Sequence, residues 1–171
     1  EKKVVLMEEL DQVSSGYDFL IFDTGAGIST NVTYFCSAAH EILLVATTEP
    51  TSLTDVYALI KTLHTKHAQK YFRVIINSVG SEAEARLIFR NLVAVADRFL
   101  PEVSVEYLGY ILSDPVVTKA VRQQKAFSEL YPHSKVTQCI NRLVQKMVGE
   151  KKSVVDEEQP TSFWRTAFTV Q

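Results

Sequence analysis

Tyr17-Asp18-Phe19-Leu20-Ile21-Phe22-Asp23-Thr24-Gly25-Ala26-Gly27 is the stretch whose reading decides the fold class. Apart from Asp18, residues 17–22 are aromatic or aliphatic, with none of the alternation that a sheet wetted on one face would show. Such a run suits a strand covered on both faces, as strands of parallel sheets are. It ends on Asp23, and Gly25 and Gly27 follow at once. A carboxylate and two residues free to turn sharply therefore stand where the strand would reach its open end, the place where ligands gather in such sheets.

Upstream of this run, Val4, Val5, Leu6, Leu10 and Val13 recur at helical spacing, and Ser14-Ser15-Gly16 is a small-residue stop. Downstream, the pattern predicts a helix over 30–39, a strand over 41–46, a helix over 51–67 and a strand over 72–77. A long helix over 81–100 follows, with Ala83, Leu87, Leu92, Val95, Ala96 and Phe99 as its inner face, and then a strand over 103–112. Asp114-Pro115 reads as an N-cap with Pro in the first helical position, which starts a short helix over 115–123. Tyr131-Pro132 breaks the next one. Ser134 caps a last helix with Val136, Ile140, Leu143, Val144 and Met147 as its stripe, ending near Gly149. This alternation predicts a doubly wound, mainly parallel α/β sheet with helices on both faces. One domain is expected over 1–149, a polar linker over 150–160 and a short amphipathic tail helix over 161–171.

The chain has 171 residues, of which 46% are hydrophobic, enough for one sizeable core. Eighteen basic against twenty acidic side chains leave a net charge of -2, so no global attraction to nucleic acid is implied. Cys36 and Cys139 are far apart in apolar surroundings, the usage of reduced buried thiols. His64 and His67 stand three apart on a helix among Lys61, Lys66 and Lys70, with no third ligand in view, so a solvated helix face outweighs a metal site. The sequence contains no apolar run of the roughly 18 residues that a membrane span needs, and a cytoplasmic protein is the expectation. The chain also opens at Glu1 in mid-pattern, as a piece of a longer polypeptide would.

Four places follow the apolar runs: Asp23 to Gly27, Thr47-Thr48-Glu49-Pro50, Asn77-Ser78 and Ser113-Asp114-Pro115. An Asp at the end of a buried strand can hold a magnesium-bound water, and two glycines one residue apart let backbone amides approach a phosphate. A turn-capping Asp beside two conformationally needed glycines would explain the same residues, since Asp-x-Gly-x-Gly alone is not specific.

The wider run, through Ile28-Ser29, resembles the Walker B and switch II segment of the MinD/ParA family of P-loop ATPases, and Thr-Gly-Ala-Gly-Ile-Ser is closest to the flagellar-number regulators of FlhG type. Glu49-Pro50-Thr51-Ser52-Leu53-Thr54-Asp55 continues the resemblance at the family's distance. So do Asn77 after Val74-Ile75-Ile76, and Gly109-Tyr110-Ile111-Leu112-Ser113-Asp114. In order and spacing these segments cover most of 17–148. The resemblance implies ATP and Mg as cofactors, with Asp23 holding magnesium through water and Gly25 to Gly27 sensing the γ-phosphate. It further implies Glu49 on the ribose, Asn77 on the adenine edge, and Asp114 or its loop backbone closing the base pocket. Asp55 would face a partner or the dimer mate.

The resemblance also implies an ATP-dependent homodimer that sets the number or placement of flagella, working with a signal-recognition-type GTPase or a transcription activator. MinD-type division-site selection and a non-catalytic partner-binding module are the alternatives. A phosphoacceptor domain centred on Asp23 wants an acidic pair upstream and a lysine at a late strand end, neither of which is evident. Gly25 stands where MinD switches usually carry Pro, and Leu112-Ser113-Asp114 replaces the commoner Ile-Pro-Asp. The six glycines cannot supply a G-x-x-x-x-G-K-[ST] loop or its lysine-first variant, so these residues read as a C-terminal portion without the Walker A loop. In the tail, Phe163, Trp164 and Phe168 share one helical face suited to a membrane interface, and the family's tails bind membranes. Asp156, Glu157 and Glu158 just upstream oppose anionic lipid, and a tail folded back on its own domain is the competing reading.

Overall fold

The structure is a computed structural model that describes residues 16–154. The helix expected over 4–13 and the tail residues Phe163, Trp164 and Phe168 lie outside the described residues. Within them run α1 (Thr30–Ala38), β1 (Leu43–Ala46), α2 (Pro50–His67), β2 (Tyr71–Val79) and α3 (Glu82–Phe99), then β3 (Ser104–Leu112), α4 (Pro115–Arg122), α5 (Phe127–Leu130) and α6 (Lys135–Val154). The strands form one sheet in the order β1-β2-β3, and both pairings are parallel.

β2 lies in the middle, and its side chains divide between two faces. Phe72, Val74 and Ile76 point to one face, where Val56, Ile60 and Leu63 of α2 and Ala85 and Leu92 of α3 cover them. Ile75 points to the other, where it packs with Leu108 of β3 and Leu143 of α6. Helices thus lie on both faces of a parallel sheet, the doubly wound α/β arrangement. Burying aliphatic side chains on both faces is what makes Val74-Ile75-Ile76 a run without alternation.

Residues 17–22 are not a strand, although they carry the strongest strand pattern in the sequence. Tyr17 and Ile21 are 68% and 82% exposed, and the run makes no sheet pairing among the described residues. A strand needs a neighbour to receive its hydrogen bonds, and among the described residues β1 pairs only with β2. Phe22 is drawn in, stacking on Phe35 of α1 with ring centroids 5.2 Å apart.

The buried stripe of α3 is Ala85, Leu92 and Ala96, whereas Leu87, Val95 and Phe99 are exposed, so its inner face is rotated from the expected one. Val144 on α6 is likewise exposed. α6 continues five residues past Gly149. Its Leu143 meets Gly109 and its Lys146 reaches the carbonyls of Tyr107 and Leu108, so the helix runs antiparallel to β3. At the start of the strands Arg73 of β2 bridges Glu41, in the loop leading into β1, and Glu106 of β3, at 3.2 Å each. No helix among the described residues is long and apolar enough to cross a membrane.

Candidate functional site

Because β1, β2 and β3 are parallel, the loops that follow them emerge on one edge of the sheet. That edge gathers Thr47 to Pro50, Asn77 to Gly80, and Ser113 with Asp114.

The first of these loops is tied down by small hydroxyls. The Thr47 amide donates to Ser52 Oγ at 3.0 Å and the Glu49 amide to Thr47 Oγ1 at 3.3 Å. Pro50 then opens α2 with its fixed φ. Glu49 occupies the N-cap position, yet its side chain makes no capping bond, so the exposed carboxylate projects from the edge. Asp55 lies exposed on the next turn of α2.

The loop after β2 is shaped by a backbone irregularity. The register slips between Ile76 and Val79, where three steps of β2 match two of β3. Ser78 takes up the extra residue with φ 58°, in the left-handed region that costs a residue with a Cβ about 1 kcal/mol or more. Asn77 Oδ1 accepts from the Ser78 amide at 2.8 Å, which fixes the carboxamide and leaves its NH2 group to donate elsewhere. Beyond it, Glu84 Oε2 accepts from the Gly80 amide at 2.7 Å, closing the turn into α3. The strain at Ser78 and the ties through Ser52 and Glu84 were not read from the sequence. The available signal was the polar pair Asn77-Ser78 interrupting an otherwise apolar run.

Asp114 caps α4, with Oδ1 accepting from the Val116 amide at 3.0 Å, while Ser113 donates its own amide to Val79 O at 2.8 Å. One carboxylate oxygen of Asp114 is thus committed to holding the helix start. At this position the backbone of the loop is better placed than the side chain to face a ligand.

Asp23, Gly25 and Gly27 are positioned differently. They belong to the irregular segment before α1, and Asp23 is exposed. Gly27 has φ 91°, which a residue with a side chain rarely adopts, and space around both glycines is open. Ser29 caps α1, its Oγ accepting from the Val32 amide at 3.4 Å. The sheet itself therefore brings together Glu49, Asn77 and Asp114, but not Asp23. The segment is anchored at its far end through Phe22 on Phe35 and the packing of α1 on α2.

The two histidines of α2 serve its end: His64 Nδ1 lies 3.1 Å from Gln69 O, across a left-handed cap at Ala68 with φ 53°. Among the described residues no cluster of three or more His, Cys, Asp or Glu is placed to hold a metal. Cys36 is half-buried and burial pushes its thiol pKa up, so it is held as the unreactive thiol.

No family model matches the chain. It is 43% identical over 142 residues to the antiactivator FleN of Pseudomonas aeruginosa, covering 83% of this chain and 50% of that protein. It is 30% identical over 149 residues to the flagellum site-determining protein YlxH of Helicobacter pylori, covering 84% of this chain and 50% of that one. An uncharacterized ATP-binding protein of Methanocaldococcus jannaschii is 27% identical over 161 residues, 92% of this chain and 56% of its own length. The chain thus spans about half the length of these relatives. The parallel sheet with helices on both faces, the order of the loops along its edge and the 43% identity agree, and over the shared length the chain belongs to the FlhG family of the MinD/ParA group.

Proposed function

We propose that this chain forms the base-side and switch portion of an ATP-dependent, dimerising MinD-like ATPase that regulates the number or placement of flagella. The observation that carries the reading is the convergence of Glu49, Asn77 and the Ser113-Asp114 loop on one edge of a parallel sheet, in a chain 43% identical to FleN. Asn77, fixed by Ser78, donates to the adenine edge. Glu49 accepts from the ribose hydroxyls. The backbone after β3 closes the base pocket, its Asp114 side chain being occupied by Val116. Asp23 holds magnesium through a water, and the Gly25 to Gly27 amides read the γ-phosphate, once a phosphate loop presents the nucleotide to them.

The names of two relatives suggest what the switch is read by. "Antiactivator" fits a transcription activator as the partner, and "flagellum site-determining" fits control of placement. A signal-recognition-type GTPase is the other partner expected of such a switch. Asp55, exposed near the start of α2, is the partner-facing or dimer-facing residue in this reading. The protein works in the cytoplasm, and Phe163, Trp164 and Phe168 provide reversible contact with the inner membrane face.

Nucleotide binding and turnover by the full-length protein test the assignment. Asn77→Ala should weaken ATP binding about tenfold with little effect on turnover at saturation, as loss of one buried hydrogen-bond donor does. Asp23→Ala should abolish turnover and leave ATP binding within a few-fold. Unchanged ATP affinity in Asn77→Ala, or full turnover in Asp23→Ala, would remove the corresponding role.

A further inference from the structure

A second concavity lies away from the strand ends, at the outer edge of the sheet. β3 pairs with β2 on one side only, and no strand among the described residues covers its other side. Between that edge, the start of α3 and the middle of α6 is a cleft of about 260 Å3 whose walls include Arg86, Tyr107, Arg142 and Lys146.

Three observations bear on what fits there. The Tyr107 hydroxyl is enclosed and has no hydrogen-bond partner among the described residues. Burial pushes its pKa up, so it stays protonated and remains a donor in search of an acceptor. Secondly, cations exceed anions: Arg86 is held by Glu82 at 2.7 Å and Lys146 lies 3.5 Å from Glu106, while Arg142 makes no ion pair among the described residues. Thirdly, the edge is guarded over part of its length only. The register slips between Val74 and Ile75, adding Leu108 to β3, and Lys146 Nζ caps the carbonyls of Tyr107 and Leu108 at 3.2 and 3.5 Å. Bulges and lysines are the devices that keep an edge from pairing. Residues 109–112 carry neither.

We propose that this cleft takes an acidic side chain on an extended segment of a partner protein, which adds as a strand along residues 109–112 of β3. The backbone of the segment pairs with the open edge, and its carboxylate enters the cleft. There it accepts from the Tyr107 hydroxyl after the exposed Arg86 side chain shifts, and pairs with Arg142. Main-chain pairing supplies affinity regardless of sequence, and the cations select for acidic segments. The site is at the sheet's lateral edge, so it is independent of the nucleotide reading.

Fluorescence anisotropy on the full-length protein tests this, with a labelled peptide of about ten residues alternating Val and Glu, compared with its Val/Lys counterpart. The Val/Glu peptide should bind at least about tenfold more tightly than Val/Lys, and Arg142→Glu should remove that preference. Tyr107→Phe should weaken the peptide several-fold while leaving the melting temperature unchanged or slightly raised, because it deletes an unsatisfied hydroxyl; a purely structural tyrosine would lower the melting temperature instead. Equal binding of the two peptides, or affinity unmoved by Arg142→Glu and Tyr107→Phe, overturns the proposal. So does stabilisation by inorganic phosphate that Arg142→Glu abolishes when neither peptide binds, which would assign the cleft to a small anion. Self-association that Arg142→Glu abolishes would assign it to a second copy, with the same effect.

Discussion

Ser78 sits in a backbone conformation that its Cβ disfavours, one residue after Asn77, the side chain proposed to meet a base. Ser78→Gly should relieve that strain and raise stability by about 0.5–1 kcal/mol, with nucleotide affinity nearly unchanged. Ser78→Val, branched at Cβ, should lose at least about 1 kcal/mol and weaken ATP binding by the full-length protein, since the bulge that aims Asn77 cannot form unstrained. Thermal melts and nucleotide titrations of the pair check both, and equal behaviour of the two variants would show that the bulge does not aim Asn77. Cys36 gives a second residue-scale expectation, with a definite sign. A raised thiol pKa leaves less thiolate than usual at neutral pH. Iodoacetamide should therefore react with Cys36 in a Cys139→Ala background more slowly than with free cysteine, the rate climbing only above the ordinary thiol range. At this scale the sequence was readable where chemistry is local. Asp114 as an N-cap before Pro115 and Ser134 as another before an apolar stripe follow from side-chain type and what comes next, and both make the bonds expected. The left-handed turn at Ser78 was not readable, because it arises from a mismatch between β2 and β3 that only the pairing reveals.

Elements were legible to within a few residues wherever both their partners are present. β2 runs from Tyr71 to Val79, beyond the expected 72–77, because Tyr71 pairs with Ser104 and Val79 with Leu112, whereas β3 starts at Ser104, one residue after its expected start. The run 17–22 failed for the complementary reason, since a strand pattern expresses what a segment would do beside a neighbour, and none is paired to it. α3 shows a different limit: the rotation of its buried face was set by small residues, Ala85 and Ala96, that let the helix approach the sheet. The closeness of α6 to β3 leads to a testable statement. A Cβ built on Gly109 would stand 2.6 Å from Leu143 Cδ2. Gly109→Ala should cost about 1–3 kcal/mol, and Leu143→Ala added to it should cost less than the sum of the two single changes. Additive losses in denaturant titrations would show that the clash is relieved by movement elsewhere.

For the molecule as a whole, the site's legibility stopped where the sheet stops. Glu49, Asn77 and Asp114 stand on one edge because each ends or follows a run that pairs, whereas Asp23, Gly25 and Gly27, the proposed switch residues, lie on a segment the sheet does not hold. Six glycines at positions 16, 25, 27, 80, 109 and 149 give no phosphate-loop spacing, so nothing in these residues neutralises a triphosphate. Titration calorimetry of the 171 residues by themselves with Mg-ATP should show no heat of binding, and clear micromolar affinity would overturn that expectation. The course of α6 has a consequence for orientation. The helix starts beside the strand ends that carry the candidate nucleotide edge and descends antiparallel to β3, covering about 30 Å at 1.5 Å per residue. Val154, where the helix ends, therefore lies at the opposite pole of the sheet. Anything that docks on the C-terminal end of α6 would thus see the floor of the sheet and leave the candidate nucleotide edge open on the far side.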